Sequence, residues 1–267
     1  MHKQKTNTTI ISQSKLAPGI YDLWLTYPAA SRALPGQFVG LYPQDQSRLL
    51  MRPISICESN PDQNSLRLVY RVQGAGTGEF SQLKAGDNIA LLGILGNGFP
   101  LAQASAKHVY IIGGGIGIPP LLGLAKAIQK EAKSLNIFLG YPSAPAYLAD
   151  EMAACGRVHI ATDDGSLGIK GHVMDAVLAA TKLDKLPRAG IIMACGPGVM
   201  LAAVKAYAKE AGVPAYISLE ERMACGIGAC LSCVCQTTKA NENNPLNLSR
   251  ICADGPVYEA GDVEVNP

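Results

Sequence analysis

HVYIIGGGIGIPP, residues 108–120, joins an apolar run to a glycine loop and a pair of prolines. The apolar run predicts a buried strand, and prolines fit the first turn of a helix, where a missing N–H costs nothing. In such a unit the N–H groups of the loop and the helix dipole can receive a pyrophosphate. The candidate contacts are Gly114, Gly115, Gly117 and Pro120. A tight turn that binds no ligand also fits this loop when it is considered alone.

The glycine loop opens a region in which apolar runs alternate with longer amphipathic segments. This alternation is typical of βα units around a parallel sheet. Strands are predicted at residues 108–112, 136–139, 158–162, 190–194 and 215–219, and helices at residues 119–132, 172–180 and 199–211. We therefore expect a doubly wound, parallel-sheet nucleotide domain over residues 101–219.

A second turn, Cys195-Gly196-Pro197, follows the fourth of these strands and leads into a helix. Because the carboxyl ends of parallel strands meet at one edge of a sheet, this turn and the glycine loop outline a nucleotide crevice. The sequence TDDG at residues 162–165 fits either the same crevice or an ordinary turn. The loop at residues 141–145 lacks the Arg or Lys that would attract a 2′-phosphate, which favours NAD over NADP.

Residues 10–98 consist of short runs of β-forming residues separated by turn residues. Strands are predicted at residues 21–27, 37–42, 54–57, 66–72 and 88–92, with one short helix around residues 78–83. Several short, closely spaced strands predict a small antiparallel barrel or sandwich within residues 1–100.

Two segments of this region have residue types suited to a phosphorylated ligand. Arg52-Pro53-Ile54-Ser55 combines a guanidinium that suits a diphosphate with a hydroxyl that could reach a flat heterocycle. Gly76 and Thr77, immediately before the predicted helix, form a second candidate phosphate cradle. Each segment also fits an ordinary turn when it is taken without the rest of the chain.

Five of the eight cysteines lie within residues 225–252. Cys225, Cys230 and Cys233 have the spacing C-x4-C-x2-C, and Cys252 follows 19 positions later, which is the plant-type arrangement for a [2Fe–2S] cluster. The glycines between Cys225 and Cys230 remove side chains that would keep backbone N–H groups from turning toward the sulfurs. Residues 220–267 are therefore predicted to form an iron–sulfur loop subdomain that depends on its metal.

Tetrahedral zinc is an alternative for four cysteines, although zinc sites more often use two C-x2-C pairs. Cys235 is a fifth thiol outside the ligand count, and we expect it to be a packed neighbour of the cluster. Cys57 and Cys155 are isolated in the sequence and are interpreted as small buried apolar residues.

The overall composition excludes several classes of protein. Hydrophobic residues make up 48% of the 267 residues and charged residues 16%, which argues against disorder and against a coiled coil. The net charge of +2 is spread along the chain, so no nucleic-acid or anionic-lipid partner is expected. The longest uncharged stretch, residues 109–125, is shorter than the roughly 20 apolar residues of a membrane helix. Residues 1–16 lack the apolar core of a secretory signal, and we expect a cytoplasmic protein.

The order of these motifs resembles the ferredoxin reductase superfamily. Arg-Pro-x-Ser in a barrel is followed by Gly-Gly-Gly-x-Gly-x-x-Pro and Cys-Gly-Pro in an α/β domain, and a two-iron cysteine pattern completes the chain. Within the superfamily, EERMACGIGAC at residues 220–230 and CADGPVY at residues 252–258 are similar to the electron transfer subunits of dihydroorotate dehydrogenase B. The resemblance covers essentially the whole chain.

The resemblance implies FAD in the barrel, NAD in the α/β domain, a [2Fe–2S] cluster, and a partner subunit that carries FMN and the dihydroorotate site. It implies that Arg52 faces the pyrophosphate of FAD, that Ser55 lies near N5 of the flavin, and that Tyr70 frames the cofactor through its side chain or its backbone. Glu220 would lie near the flavin and the nicotinamide. The implied FAD contacts are Arg52, Pro53, Ile54, Ser55, Val69, Tyr70, Arg71, Gly76 and Thr77; the NAD contacts are Gly114, Gly115, Gly117, Pro120, Cys195, Gly196 and Pro197; the iron ligands are Cys225, Cys230, Cys233 and Cys252.

The resemblance also implies a reaction in which the cofactors supply the chemistry and no side chain acts as acid or nucleophile. Electrons would pass between the FMN of the partner and NAD through the cluster and FAD, in a heterotetramer that oxidises dihydroorotate during pyrimidine biosynthesis. One alternative is an NAD(P)H reductase that serves a ferredoxin, a hydrogenase or an oxygenase. A second alternative is a non-catalytic, zinc-binding module for nucleotide sensing or scaffolding.

Overall fold

The computed structural model describes residues 4–183, 186–238 and 246–265. The chain forms two compact units. The first comprises Met1–Gly98, Glu220–Val234 and Ser249–Pro256, and the second comprises Phe99–Leu219, Cys235–Leu248 and Val257–Pro267. Residues 220–267, predicted as one subdomain, thus divide between the two units, and the predicted three-part division of the chain stays a prediction.

The first unit is built on a closed antiparallel barrel, as predicted. Its strands are β1 (Lys5–Ala17), β2 (Ile20–Thr26), β3 (Phe38–Tyr42), β4 (Arg52–Asn60), β5 (Ser65–Arg71) and β6 (Asn88–Leu95), with helix α1 (Ala75–Phe80) between β5 and β6. They pair in the order β1-β2-β5-β4-β3-β6. Inward-facing apolar residues of these strands, joined by Phe80 from α1, form the core of the barrel.

Strand β1 was not predicted, and its burial pattern explains why. Thr8 and Ile10 are buried whereas the residues between and beside them are exposed. In a half-exposed strand, buried and exposed residues alternate along the chain. Here one of the two buried positions is a polar threonine, so the sequence lacks an alternation of apolar and polar residues. The hydroxyl of Thr8 donates a hydrogen bond to the carbonyl of Thr26, so the sheet satisfies this polar group.

The second unit contains the predicted doubly wound α/β structure. Its elements are β7 (His108–Gly114), α2 (Ile118–Ile128), β8 (Ser134–Tyr141), α3 (Ala149–Ala153), β9 (Arg157–Thr162), β10 (Ile169–Lys170), α4 (Val173–Leu183), β11 (Ile191–Cys195), α5 (Gly198–Ala211) and β12 (Ala215–Ser218). Six strands run in the order β10-β9-β8-β7-β11-β12 and are parallel. Strands β7 and β11 are neighbours, so the loops that follow them lie side by side at the carboxyl edge of the sheet.

The last part of the chain adds three short strands, β13 (Val234–Gln236), β14 (Leu248–Arg250) and β15 (Val257–Glu259). Strand β15 extends the parallel sheet by pairing antiparallel to β12, and β13 pairs with β14. No helix in the described ranges is both long enough and apolar enough to cross a membrane.

Candidate functional site

At one end of the barrel, strand β4 leaves β5 and stays with β3. The described ladder between β4 and β5 runs from the Asn60–Ser65 pair to the Ile56–Leu68 pair. Beyond it, residues 52–55 pair with β3 while residues 69–71 continue along β2. These two predicted segments therefore border a region where β4 and β5 are not paired, which we call the gap. Backbone donors and acceptors along such a gap can bind a flat polar heterocycle.

The guanidinium of Arg52 lies directly against the Cα of Gly76. A Cβ built on Gly76 would come within 2.7 Å of Cζ and 2.8 Å of Nη2 of Arg52, closer than any side chain could stand. Arg52 also donates a hydrogen bond from Nη1 to the carbonyl of Leu50. The structure therefore brings two of the predicted FAD contacts together, and a planar cation beside backbone that carries no side chain suits a diphosphate.

Helix α1 begins at Ala75, three residues before the predicted start, so Gly76 and Thr77 lie inside its first turn rather than ahead of it. The hydroxyl of Thr77 accepts hydrogen bonds from the N–H groups of Gln73 and Gly74, at 2.9 and 3.2 Å. These bonds satisfy backbone donors ahead of the helix and fix where it begins. Thr77 therefore stabilises the turn that carries Gly76.

The side chain of Tyr70 belongs to the barrel core and not to the gap. Its ring stacks on Tyr21 at 5.8 Å and meets Phe80 edge-on at 6.2 Å. Its hydroxyl donates to Oε1 of Gln13 at 2.9 Å, and burial raises the pKa of Tyr70 far above its usual value. Of the two ways in which Tyr70 could frame a cofactor, only its backbone remains available.

Glu220 follows β12 of the α/β sheet and belongs to the barrel unit. Its side chain is solvent-exposed, yet the surrounding protein removes enough water to raise its pKa, and the positive charge of Arg71 only partly opposes this shift. Neighbouring protein atoms therefore reduce the solvation of this carboxyl although part of its side chain reaches solvent. Glu220 and Arg71, predicted separately, are thus close enough to interact.

The four predicted iron ligands come together in the barrel unit and form two pairs. The thiol of Cys230 hydrogen-bonds to Sγ of Cys225. In the second pair, the backbone N–H of Cys252 donates to Sγ of Cys233 at 3.4 Å, and the Cys252 thiol also bonds to that sulfur. Cys233 and Cys252 are buried, whereas Cys230 is exposed.

The two pairs differ in their electrostatic surroundings. Burial acts to raise the pKa of Cys225, but the N–H groups of Ile227, Cys230 and Ala229 and the Cys230 thiol outweigh it and lower that pKa to about 6. Burial raises the pKa of Cys252 to about 12, with the neighbouring sulfur of Cys233 adding to the shift. Backbone N–H groups that already point at a sulfur are suited to stabilise a thiolate bound to iron.

The pairing of the thiols also bears on the choice between iron and zinc. In the part of the chain that the structure describes, no three His, Cys, Asp or Glu side chains are grouped so as to hold one metal ion. A [2Fe–2S] cluster distributes its four thiolates over two iron atoms, whereas structural zinc draws all four to one point. The two thiol pairs are compatible with the two-iron cluster that the cysteine spacing predicts. Cys235, the fifth thiol, is half-buried on β13.

The cluster loop packs against the start of β4. A Cβ built on Gly226 would come within 2.9 Å of Sδ of Met51 and 3.2 Å of Cδ1 of Leu95, so the loop backbone rests on these side chains. Met51 is buried and immediately precedes Arg52. The loop between the first two iron ligands and the predicted FAD segment are therefore adjacent within one unit.

In the α/β unit the glycine loop and the Cys195-Gly196-Pro197 turn pack backbone against backbone. A Cβ built on Gly117 would lie 2.5 Å from the carbonyl carbon of Cys195 and 2.6 Å from Cα of Gly196. A Cβ on Gly114 would lie 3.2 Å from Cδ of Pro197. Glycine is required at these positions because the two loops approach so closely. The two predicted turns thus form one continuous surface at the carboxyl edge of the sheet.

Gly115 differs from the other glycines of the loop. It has a left-handed φ of 53°, and a Cβ built on it would meet no atom within 4 Å, so open space adjoins the loop here. Helix α2 begins at Ile118, with Pro119 and Pro120 in its first turn. Because prolines have no N–H, the helix itself offers few donors, and the loop's own N–H groups are the better candidates for a pyrophosphate.

Tyr147 was not predicted, although it contacts the glycine loop. Its hydroxyl donates a hydrogen bond to the carbonyl of Gly115 at 2.7 Å. Tyr147 lies on the connection between β8 and α3, and no spacing or motif in the sequence links it to residue 115. Only the fold, which places this connection next to the loop after β7, reveals the contact.

The TDDG turn after β9 packs on the loop after β8. The N–H groups of Asp163 and Asp164 donate to the carbonyls of Tyr141 and Pro142 at 3.1 and 3.3 Å. The hydroxyl of Ser166 accepts the N–H of Ala144 at 2.9 Å. The residues of the loop after β8 that are exposed to solvent carry no positive charge.

Comparison with known proteins places these features in a family context. The iron–sulfur cluster binding domain of dihydroorotate dehydrogenase B matches residues 220–264. The electron transfer subunit of dihydroorotate dehydrogenase B (NAD(+)) from Listeria monocytogenes serovar 1/2a is 43% identical over 263 residues, which cover 98% of this chain and 99% of that protein. The subunit of the same name from Enterococcus faecalis is 41% identical over 267 residues, with the same coverage.

Solved structures agree with this fold. A chain of the NADH-dependent reduced ferredoxin-NADP oxidoreductase, studied for flavin-based electron bifurcation, has a TM-score of 0.84 and 29% identity; the match covers 97% of this chain and 90% of that chain. A ferredoxin NADP+ reductase from Neisseria gonorrhoeae with bound FAD and NADP has a TM-score of 0.68 and 19% identity, covering 83% and 95% of the two chains. The barrel followed by a parallel-sheet unit is thus the ferredoxin reductase fold.

Proposed function

The chain belongs to the family of electron transfer subunits of dihydroorotate dehydrogenase B, and on this premise we propose that it relays electrons between an FMN-containing catalytic subunit and NAD through a [2Fe–2S] cluster and FAD. The partner subunit holds the dihydroorotate site, and the overall reaction belongs to pyrimidine biosynthesis. The expected assembly is a heterotetramer of two of each subunit.

One observation carries the proposal: Gly226 of the cysteine loop rests on Met51, the residue before Arg52. Gly226 belongs to the loop that carries the cysteines. Met51 immediately precedes the segment of β4 that borders the gap between β4 and β5. The function of a zinc-binding or nucleotide-sensing module does not require the ligands of a two-iron cluster to lie next to a flavin-binding segment. Adjacency of the two segments is what transfer of electrons between a flavin and a cluster requires.

The residues of the barrel supply binding and orientation. Arg52 and the backbone at Gly76 hold the pyrophosphate of FAD, and residues 52–55 and 69–71 border the flavin through their backbone and the Ser55 hydroxyl. Tyr70 contributes its backbone, because its side chain belongs to the core. When bound, the flavin supplies the exchange of a hydride with NAD and of single electrons with the cluster, so no side chain has to act as acid or nucleophile.

The residues of the α/β unit hold the nicotinamide nucleotide. Its pyrophosphate is received at the surface formed by Gly114, Gly115, Gly117 and the Cys195-Gly196-Pro197 turn, where backbone groups can approach the ligand without side chains in the way. The exposed loop after β8 offers no cation for a 2′-phosphate, which supports NAD rather than NADP. Pro120 serves the shape of the loop and not hydrogen bonding.

The exposed side of the cluster loop is where the partner subunit would dock. Cys233 and Cys252 are buried, whereas Cys230 and the apolar side chains of Ile227 and Leu231 are exposed. Electrons must leave the cluster toward a second protein, and apolar residues beside an exposed ligand suit a protein interface. A cytoplasmic location is part of the proposal, because thiols that bind iron need a reducing compartment.

The proposal is tested by co-expressing the chain with the FMN-containing dihydroorotate dehydrogenase of its organism and purifying the complex without oxygen. We expect flavin and iron–sulfur absorption bands that bleach on addition of either NADH or dihydroorotate. Bleaching by NADH alone, with a ferredoxin or an oxygenase as the co-purifying protein, would instead establish the reductase alternative. A colourless chain that contains zinc would establish the non-catalytic one.

A further inference from the structure

The carbonyl of Gly115 accepts hydrogen bonds from two donors. The φ of 53° at Gly115 lies in the left-handed region, and no atom would touch a Cβ placed on this residue. Glycine reaches both left- and right-handed conformations at little cost, so the peptide that follows such a residue can rotate unless another group fixes it. At this point of the loop, hydrogen bonds to the carbonyl of Gly115 select one orientation of the Gly115–Ile116 peptide.

The hydroxyl of Tyr147 is one of these donors. It donates to the carbonyl oxygen of Gly115 at 2.7 Å, and the same oxygen accepts the N–H of Ile118 where α2 begins. Two donors on one carbonyl fix its direction. In a planar trans peptide the C=O and N–H bonds point in opposite directions, so the N–H of Ile116 points away from Tyr147.

Tyr147 is in turn held by Tyr141, the last residue of β8. The hydroxyl of Tyr141 donates to the carbonyl of Tyr147 at 2.7 Å, and the two rings meet edge-on with centroids 5.2 Å apart. Tyr141 is buried, so it links Tyr147 to the rigid end of the central sheet. A long side chain from a loop is thereby fixed on both its backbone and its ring before any ligand arrives.

We propose that Tyr147 is a positioning residue for the nicotinamide nucleotide: its hydroxyl fixes the Gly115–Ile116 peptide so that the N–H of Ile116 faces the pyrophosphate. The inference rests on the proposed binding of NAD by this unit and adds a residue to it. The benefit is preorganisation, because a loop that already presents its donor loses less conformational freedom on binding.

The test compares two tyrosine-to-phenylalanine variants of the chain with FAD and cluster in place. Tyr147→Phe removes the bond to Gly115. Tyr110→Phe is the matched control, because it also removes a tyrosine hydroxyl bonded to a backbone carbonyl of the α/β unit, that of Pro187 at 3.0 Å, at the opposite edge of the sheet. Dissociation constants for NAD and ADP-ribose are measured by calorimetry, and anaerobic mixing with NADH gives the limiting rate of flavin reduction.

We expect Tyr147→Phe to raise the dissociation constants of NAD and ADP-ribose roughly five-fold, which is the factor for a hydrogen bond with a net worth of about 1 kcal/mol. The limiting rate of flavin reduction should stay unchanged, as should the binding of adenosine, which has no pyrophosphate. Tyr110→Phe should leave all four values at wild type.

Unchanged binding of ADP-ribose by Tyr147→Phe would overturn the inference, and so would equal weakening in both variants, since that would indicate general loosening of the unit. Equal weakening of adenosine and ADP-ribose would place Tyr147 at the adenosine and overturn its assignment to the pyrophosphate. A wild-type chain that binds no NAD would refute the proposed function and this inference with it, whereas wild-type binding that Tyr147→Phe does not alter refutes the inference alone.

Discussion

The guanidinium of Arg52 covers the Cα of Gly76, with Cζ 2.7 Å and Nη2 2.8 Å from the place where a Cβ would stand. The two residues are separated by more than twenty positions and belong to different elements, β4 and α1. Their contact joins the two segments of the barrel that the sequence marked for phosphate binding. It also offers a way to displace Arg52 without mutating it.

We expect Gly76→Ala to weaken FAD binding by about ten-fold or more, because the new methyl group displaces the guanidinium, and hydrogen bonds to charged groups are worth about 1.5–3 kcal/mol. The protein should still fold, since Arg52 is flexible and alanine favours a helix. Gly78→Ala is the matched control, because a Cβ there would touch only Cγ1 of Val72, at 4.0 Å. FAD content after gel filtration and FAD titration of the apoprotein give the measurement. Equal FAD affinity in the two variants would exclude Arg52 from the pyrophosphate site.

Serine substitutions can distinguish the four predicted iron ligands from Cys235, the fifth cysteine of this region. Cys230→Ser should abolish or strongly shift the visible absorption of the [2Fe–2S] cluster, since four thiolates are needed. Cys235→Ser should preserve this spectrum, because Cys235 lies on β13, outside the two thiol pairs. Iron and sulfide content of the anaerobically purified variants checks both statements. A cluster that survives Cys230→Ser and is lost in Cys235→Ser would reverse the ligand assignment.

How much the sequence could predict depends on whether a feature is local. The cysteine spacing, the glycine loop and the Arg-Pro-Ile-Ser segment are contiguous patterns, and the structure places the four cysteines in one unit and the two α/β turns in contact. Side-chain direction is not contained in such patterns. Tyr70 was expected beside a cofactor through its side chain or its backbone, but strand alternation and contact with Tyr21 and Phe80 assign its ring to the core.

Contacts between distant segments were beyond sequence analysis for a related reason. Tyr147 reaches Gly115 only because parallel pairing brings the ends of β7 and β8 together, and a single tyrosine in a loop has no recognisable spacing. The contact between Gly226 and Met51 was also not predictable from the sequence, because it depends on how the cysteine loop packs against the barrel. Patterns predict elements and motif chemistry, whereas the partners of each side chain follow from tertiary packing.

The proposed docking surface makes Leu231 a residue whose side chain can be tested apart from the cluster. It is 60% exposed beside Cys230 and has a left-handed φ of 59°, which asparagine tolerates better than leucine. We expect Leu231→Asn to weaken binding of the FMN-containing subunit about ten-fold, or about 1.4 kcal/mol, and to leave the cluster spectrum intact. Val199→Asn, at a comparably exposed apolar residue of α5, is the control. The measurement is the dissociation constant of the complex that the purified subunits form. Wild-type affinity in Leu231→Asn would show that the interface lies elsewhere.

Glu220 leads to a prediction about pH. Its pKa is raised in the folded protein, so between its usual pKa and the raised one the folded state binds more protons than the unfolded state, and stability falls as pH rises. The penalty is complete above the raised pKa and absent at pH values below the usual one. Glu220→Gln removes it, so the melting temperature of the variant should exceed that of wild type by an amount that grows with pH.

Thermal unfolding of the holoprotein at one scan rate, from about pH 5 to about pH 8, measures this difference. Glu221→Gln removes the same formal charge one residue further along the chain and controls for net charge. A melting temperature for Glu220→Gln below that of wild type at the upper end of this range would mean that the ionised carboxylate is stabilised overall. The attraction of Arg71 would then outweigh the loss of water around Glu220.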